Sequence, residues 1–410
     1  MTGLWMVWLV GCLTAMGINE AIDRLAYWPR GIGRTGRSPE GCPKRGGWDW
    51  MPVLGWLRLR RESLHHGGGF WVRPMALEFL LPLFLVWLYR WELQGQLLPA
   101  NLAADSIPAA ELGLTWQFWV HSALISLLVI ATCIDLDERM IPDSVTTPLT
   151  LLAVFGAAVF PDWRFWVTGL SPEGSWVVTR LHPASPDPWN LWWQSPAGFR
   201  TILVLYSLWC FALADRRWIL RRGWKKAWRY FLAGLVRHPS WKLLLGIWLA
   251  GLLGLGWIYA RGTPQAWSAV VSSVFGMAMA GALVWSLRLV ARLAMGVEAI
   301  GFGDVTLMAM VGAVLGWQPA WLAFFLGPMA AIPLVILVYL WTRDPATPLG
   351  PYLALGSLLT IVAFRPLYLE WASERLFFLG DWLIYLFVGF LCAFGLLLGL
   401  LGWFKGRWVQ

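Results

Sequence analysis

The stretch LIYLFVGFLCAFGLLLGLL, residues 383–401, contains no charged side chain and decides the kind of fold that this chain can form. An apolar helix of roughly 20 residues spans the hydrocarbon core of a bilayer. Comparable runs recur along the chain, for example at 243–259 and 322–340. The whole sequence is 58% hydrophobic and 13% charged, whereas a soluble domain is about 45–50% apolar and about 25% charged. The bilayer is therefore the main solvent of this protein.

The apolar runs predict an all-α fold, namely a polytopic transmembrane helical bundle with a small cytoplasmic loop domain after the first helix. About eleven helices meet the spanning-length criterion. They are expected near residues 3–19, 75–91, 116–134, 145–160, 199–214, 242–260, 266–291, 304–316, 319–341, 351–365 and 380–402. The expected parts are a first transmembrane helix (1–20), a cytoplasmic basic loop domain (21–74), helices with a first aspartate motif (75–160), an inserted segment with a Trp-rich external loop and a basic cytoplasmic loop (161–300), and C-terminal helices with a second aspartate motif (301–410).

The charge distribution predicts the topology. Lys and Arg number 32 and Asp and Glu 23, a net charge of +9. The positive residues concentrate in loops 24–73 and 216–242, whereas 92–114 and 161–197 are poor in them, so the positive-inside rule places the first two loops in the cytoplasm. Residues 1–17 lack a charged n-region and a cleavage site, which favours an uncleaved first helix with its N-terminus outside. We expect a multi-pass protein of the cytoplasmic (inner) membrane, with the lipid bilayer and not nucleic acid as its partner.

A first cluster of carboxylates lies in CIDLDERMIPD, residues 133–143. It places Asp135, Asp137 and Asp143 at the cytoplasmic end of a predicted spanning helix. Asp is common in loops, so an ordinary polar loop explains this stretch as well as a functional site does.

A second carboxylate, Asp304, ends the stretch Ile300-Gly-Phe-Gly-Asp and enters an apolar helix at the membrane face. Ionisable groups at membrane depth are costly and usually functional. Asp at this position also suits a helix N-cap, and the two interpretations are compatible. Gly301 and Gly303 leave backbone without side chains beside the carboxylate, so an extended peptide could approach closely.

The predicted topology brings Asp135 and Asp304 to one side of the membrane at similar depth. Two carboxylates within a few Å do not both ionise, so one is protonated while the other acts as a base on a shared water. The base activates water for attack on a peptide carbonyl, and the acid hydrogen-bonds the oxyanion and then protonates the amine. The pattern predicts an intramembrane aspartyl protease.

The motifs together resemble those of the type IV prepilin peptidase (prepilin leader peptidase) family, over most of the chain. The matching residues fall in the N-terminal part and around the two aspartate motifs. Those in the N-terminal part are Asn19, Arg24, Asp49, Pro52, Trp56-Leu57, 58–61, Arg73 and Glu78. Those of the first motif are Ile134-Asp135, Ile141-Pro142-Asp143 and Thr146-Thr147-Pro148. Those of the second motif and a late element are 301–304, 312–317 and 350–356.

This resemblance implies roles for the site residues. The catalytic pair is Asp135 and Asp304, with Asp137 as the less favoured rival. Gly301, Gly303, Pro142 and Asp143 are implied to bind the substrate or support the site. The implied substrates are prepilins or pseudopilins, cut after a glycine at the cytoplasmic face just before a hydrophobic helix. Many relatives then N-methylate the new terminus with S-adenosylmethionine, while proteolysis itself needs no cofactor.

The chain departs from the family pattern in three places. Family members often carry two Cys-x-x-Cys pairs that bind zinc. Here Cys42 is followed by Arg45 at the partner position, and Ser63 and His66 stand where the second pair would fall, so zinc is not expected. The usual Lys two residues after the second aspartate is Thr306. The segment between the aspartates is longer than usual, and two extra helices in it would leave both aspartates on one side.

Three other functions are weighed against this one. A catalytically impaired pilus or secretion assembly protein could keep the fold, and the missing cysteines and Thr306 favour it, whereas both aspartates argue against it. A presenilin-type protease shares Gly-x-Gly-Asp but needs a Tyr-Asp pair and a Pro-Ala-Leu motif that this sequence lacks. A transporter could use carboxylates as a proton relay, but the broken-helix repeats typical of transporters are not found.

Overall fold

The computed structural model describes residues 2–36, 38–100, 107–214, 226, 228–230, 233–234, 241–296, 298, 300–342 and 348–408. Over this part of the chain the fold is helical, with one two-stranded sheet. Helices form at each of the positions predicted from the apolar runs. Among the described residues, seven helices are long and apolar enough to cross a membrane, or up to eight if one bent pair counts as a span. The predicted all-α polytopic bundle is confirmed.

The described helices and strands are numbered in chain order. The first five helices are α1 (Thr2–Leu25), α2 (Leu54–Leu59), α3 (Ser63–His66), α4 (Val72–Leu93) and α5 (Ile107–Glu138). Then come α6 (Asp143–Val159), β1 (Trp166–Leu170), β2 (Trp176–Arg180), α7 (Pro196–Leu213), α8 (Trp241–Arg261) and α9 (Pro264–Met295). The last are α10 (Phe302–Leu315), α11 (Trp317–Thr342), α12 (Gly350–Val362), a π-helix (Arg365–Ala372), α13 (Ser373–Arg375) and α14 (Trp382–Trp408).

Two helices run further than the sequence predicts. The first continues to Leu25, past the expected boundary at residue 20, and α5 extends over Ile107–Glu138 and not only 116–134. The turns added at the C-terminal ends of α1 and α5, residues 20–25 and 135–138, carry charged side chains, so a criterion based on apolar runs ends both helices before them. The consequence for the site is that Asp135 lies within a helix, one turn before its end.

The loop domain after α1 is tied to the bundle through Glu78 of α4, a fully buried carboxylate. Its oxygens accept hydrogen bonds from Asn19 Nδ2 (3.1 Å), Trp56 Nε1 (2.9 Å) and the Val53 amide (2.8 Å), and it pairs with Arg34 at 2.7 Å. Because a buried carboxylate needs such partners, these bonds specify how the loop docks. Three residues that match the family at separate places in the sequence meet at one point: Asn19, Trp56 and Glu78.

The Trp-rich loop, which the charge pattern predicts to be external, contains the two strands, which the sequence did not predict. β1 and β2 pair antiparallel with Trp166 opposite Arg180 and Leu170 opposite Trp176. Part of the segment is packed into the bundle, since Trp163, Phe165 and Leu181 belong to the hydrophobic core. Trp176 and Trp192 are exposed, as expected for residues that lie at a membrane interface. The loop therefore covers helix ends as well as offering exposed tryptophans.

Glycines bring α9 and α10 together in the centre of the fold. A Cβ on Gly276 of α9 would lie 2.1 Å from the Gly312 carbonyl oxygen, and one on Gly312 would lie 2.2 Å from the Gly276 oxygen. Small residues of this kind allow membrane helices to pack backbone against backbone. In α10 every residue from Asp304 to Leu315 is buried. The second aspartate is therefore carried by the most enclosed helix that the structure describes around the site.

Candidate active site

Asp304 lies in the first turn of α10 and is 7% exposed. Its Oδ2 accepts a hydrogen bond from the Gly301 amide at 3.2 Å, so the carboxylate caps its own helix. The N-cap residue of α10 is Gly301 and Asp304 is the third residue of the helix, so the N-cap position expected for Asp304 is wrong, and the carboxylate instead bonds back to the N-cap amide. A capping carboxylate that is also buried beside another carboxylate can still be functional, since capping constrains only one of its two oxygens.

Asp135 lies near the end of α5 and is 5% exposed. Its Oδ2 accepts a hydrogen bond at 3.0 Å from the amide of Gly350, the first residue of α12. A Cβ on Gly350 would stand 2.5 Å from the same oxygen and 2.9 Å from Ile141 Cδ1. Only glycine fits there without displacement. Sequence reasoning placed Gly350 in a matching motif but missed its part in the site, because no local pattern links residues 215 positions apart.

The two aspartate motifs are in direct contact. A Cβ on Gly303 would lie 2.8 Å from Ile141 Cβ and 2.9 Å from the Ile141 carbonyl oxygen. The backbone preceding Asp304 therefore packs on the turn between α5 and α6. Asp135 and Asp304 lie close enough that the charge of one acts on the other. The structure brings together the two carboxylates that the topology placed on one side of the membrane.

Asp143 and Thr306 form a second polar contact at the edge of this pair. Pro142 is the buried N-cap residue of α6, and Asp143 is the first residue of that helix. The Thr306 hydroxyl donates to the Gly303 carbonyl at 3.1 Å and lies near the Asp143 carboxylate. Thr306, where the family resemblance expects Lys, thus links the two motifs through a neutral hydroxyl group.

Asp137, the rival to Asp135, is held in a different place. Both of its oxygens accept from Arg73, at 2.9 and 2.8 Å, and Arg30 lies 3.7 Å away. A bidentate Arg–carboxylate pair is a strong and directional interaction. Asp137 therefore anchors the start of α4 to α5, and the geometry favours Asp135 as the partner of Asp304.

Two of the positions expected for zinc cysteines, Arg45 and His66, lie beside the carboxylate of Glu62. Arg45 Nη2 lies 2.6 Å from Glu62 Oε2, and His66 Nε2 lies 3.6 Å from the same oxygen. Within the described ranges, no group of three or more His, Cys, Asp or Glu side chains could hold a metal ion. An arginine and one carboxylate do not supply the four N or S ligands of a structural zinc site. Glu62 was missed from the sequence because the family pattern directs attention to the neighbouring cysteine positions.

The fold and the site define a class: an all-α, multi-pass membrane protein in which two buried aspartates from distant motifs converge where three helices meet. Comparisons with known proteins then point to one family. The chain is 31% identical over 106 residues to a prepilin leader peptidase/N-methyltransferase of Burkholderia pseudomallei. It is 39% identical over 90 residues to the protein so named from Aeromonas hydrophila and 32% identical over 107 residues to that of Escherichia coli.

These matches are partial. The Burkholderia match covers 25% of this chain and 33% of the relative. The corresponding shares are 21% and 31% for the Aeromonas match and 26% and 44% for the Escherichia coli match. The chain thus matches less than half the length of the curated relatives. No family model matches, and no solved structure matches. The family resemblance predicted from the motifs is confirmed over about a quarter of the chain.

Proposed function

We propose that this protein is an aspartyl endopeptidase that cleaves the leader from type IV prepilins or pseudopilins at the cytoplasmic face of the inner membrane. The observation that carries the proposal is the convergence of Asp135 and Asp304, both buried and each fixed by one backbone amide. The names of the partly matching relatives support the same substrate class.

The proposed mechanism uses only the two carboxylates and a water. The amides of Gly350 and Gly301 hold Oδ2 of Asp135 and of Asp304, so in each carboxylate Oδ1 can face water and substrate. One aspartate removes a proton from the water as it attacks the scissile carbonyl. The other, protonated, hydrogen-bonds the developing oxyanion and then passes its proton to the departing amine. The peptide bond breaks, the carboxyl product takes the water oxygen, and the pair keeps the proton that the base took from the water, so it is again singly protonated.

The surroundings suit a substrate that is half in the membrane. Gly303 exposes no side chain between the motifs, and the site lies where α5, α10 and α12 meet at their cytoplasmic ends in the predicted topology. An extended segment just before a hydrophobic helix could therefore reach the aspartates while its helix stays in the bilayer. The proposed scissile bond follows a glycine, as the family resemblance implies.

Substitution of single carboxylates tests the assignment. Asp135→Asn and Asp304→Asn should each abolish cleavage of a prepilin by the purified protein, because neither variant retains an acid–base pair. Asp137→Asn is the matched control and should retain cleavage, since Asp137 pairs with Arg73. Cleavage is followed by the size of the product and its new N-terminal sequence. Full activity in either dyad variant would refute the assignment.

N-methylation of the new N-terminus, with S-adenosylmethionine as donor, is a separate proposal that rests on the second half of the relatives' name. The alternative of an impaired assembly protein that keeps the fold is distinguished by the same assay. An impaired protein would leave prepilin uncut by wild type as well as by both dyad variants, although all three fold.

A further inference from the structure

Arg164, between α6 and β1, is a buried cation. It is 9% exposed, and its guanidinium donates to neutral oxygens only: the carbonyls of Pro161 and Leu181, both at 3.2 Å, Ser272 Oγ at 3.1 Å, and the carbonyl and Oγ of Ser268 at 3.5 and 3.4 Å. Arginine remains charged at neutral pH even though burial, and then the charge of Arg180, lower the pKa of Arg164 to about 10. A buried charge without an opposite charge is strongly destabilising.

The charge of the Asp162 carboxylate raises the pKa of Arg164, but this carboxylate does not contact the guanidinium. Asp162 lies 3.6 Å from Arg180 and is 69% exposed in its side chain. The Arg180 guanidinium in turn donates to the Arg164 carbonyl oxygen at 2.7 Å. Among the described residues, no carboxylate lies within 4 Å of the Arg164 guanidinium. The region therefore carries two neighbouring cations and one outward-facing anion.

His182 adds a buried donor at the same place. It is 8% exposed, and its Nδ1 has no hydrogen-bond partner among the described residues. Burial, and then the charge of Arg164, lower the pKa of His182 to about 4, so the ring is neutral at pH 7 and carries one N–H. Its backbone groups are already bonded to Ser185, so only the ring is left to bind something else.

A small cavity connects these groups with the N-terminus of α11. Arg164, His182, Ser272, Trp317 and Gln318 line it. The first turn of the 26-residue helix α11 lies on this side, and its dipole favours negative charge there. Pro319 has no N–H and the Ala320 amide bonds the Gly316 carbonyl, so Trp317 and Gln318 supply the amides for an anion. The end of α10 and the residue after it, 313–316, also line the cavity. The cavity volume is about 10 Å³, which is roughly the space that one water molecule needs. Only a ligand of one heavy atom is small enough.

We propose that this cavity, at the external face in the predicted topology, binds a monatomic anion, chloride under physiological conditions, held by Arg164, His182 and the N-terminus of α11. The anion neutralises the buried guanidinium and receives the imidazole N–H. It joins the segment 161–196 to the ends of α9 and α11, and so fixes the external cap of the bundle. The site is remote from the aspartate pair and independent of peptidase activity.

Thermal unfolding of the detergent-purified protein tests this site. At constant ionic strength, replacing gluconate by chloride should raise Tm by about 3 °C, because an anion that binds only the folded state stabilises it. Bromide should act like chloride. Sulfate is too large for the cavity and should change Tm only through its general salt effect. That general effect is the change in Tm that sulfate produces in the His182→Leu variant.

Three variants make the test specific. His182→Leu and Arg164→Met should lose at least half of the chloride-dependent shift, whereas Arg200→Gln, an exposed arginine at the start of α7, should keep all of it. If Arg164→Met does not fold, His182→Leu decides. The proposal is wrong if chloride gives wild type no shift, if His182→Leu keeps the full shift, or if sulfate matches chloride after the general salt effect is subtracted.

Discussion

The amide of Gly350 and the carboxylate of Asp135 meet in a contact that has no space for a side chain between them. The contact joins the end of α5 to the start of α12 and orients one oxygen of the carboxylate. Ile141, on the other side of the same glycine, also packs against Gly303 of the second motif. A single glycine thus sets the position of both aspartate motifs.

Gly350→Ala should lower the rate of prepilin cleavage on the order of 10²-fold, because the new methyl group displaces Asp135 from its amide and misplaces a reacting group. The matched control is Gly399→Ala in α14, where a Cβ meets nothing within 4 Å. Initial rates are compared at equal amounts of folded protein. Unchanged cleavage by Gly350→Ala would show that the contact does not position the carboxylate.

A second contact of individual residues concerns the loop domain, where Arg45 and Glu62 form an ion pair and both side chains are almost wholly buried. Arg45 also donates to the carbonyls of Gly33 and Gly36, so it ties three parts of the loop together. An ion pair with additional hydrogen bonds can hold a small loop domain in the way that a metal does elsewhere.

We predict that the purified protein contains no stoichiometric zinc and that a chelator does not change its cleavage rate. Elemental analysis after extensive dialysis measures the first, and cleavage in the presence and absence of the chelator measures the second. One zinc per chain would contradict the prediction and would require ligands outside the described residues.

Among the helices, the pair α9 and α10 determines where Asp304 lies. Gly276 and Gly312 let the two backbones touch, and α10 is enclosed along its whole length. The start and end of α9 are well specified: Thr263 caps it by accepting from the Ala266 amide, and Gly296 ends it with a positive φ of 71°. Helix packing and helix ends together fix the position of the second motif.

Gly312→Ala should destabilise the fold by about 1–3 kcal/mol, because the added methyl group would lie against the Gly276 carbonyl and the helices must move apart. Gly389→Ala in α14, where a Cβ meets nothing within 4 Å, is the matched control. The measurement is the thermal unfolding midpoint in detergent. Equal midpoints for the two variants would mean that the helices can separate without loss of stability.

In the whole molecule, topology decides whether the two aspartates can meet. The long described helices between Asp135 and Asp304 are α6, α7, α8 and α9, an even number that returns the chain to the same side. The inserted segment 161–300 thus lengthens the chain between the motifs without separating them. Its Trp-rich part, predicted to be external, packs into the hydrophobic core through Trp163, Phe165 and Leu181.

The predicted topology places residues 92–114 outside and 135–143 in the cytoplasm. Alkaline phosphatase, which is active only outside the cytoplasm, should be active when fused after residue 98 and inactive when fused after residue 140. Enzyme activity, normalised to the amount of fusion protein, provides the measurement. The reverse pattern would invert the orientation and place the candidate site on the external face.

The site was more predictable from sequence than the external cap. Asp135 and Asp304 could be chosen because carboxylates at the ends of apolar helices are rare and the charge bias of the loops fixes their side. The strands Trp166–Leu170 and Trp176–Arg180 were missed because they are short and lie in a segment rich in Trp, Pro and Gly. In such a segment neither helical nor alternating periodicity stands out.

The sequence by itself determined that the chain is an all-α membrane bundle and which carboxylates share a side, because hydrophobic runs and loop charges act locally along the chain. Only the tertiary structure decided that Gly350 contacts Asp135, that Asp137 pairs with Arg73, and that Glu78 anchors the loop domain. These contacts join residues far apart in sequence. They depend on which helix faces pack together, and no local pattern encodes that choice.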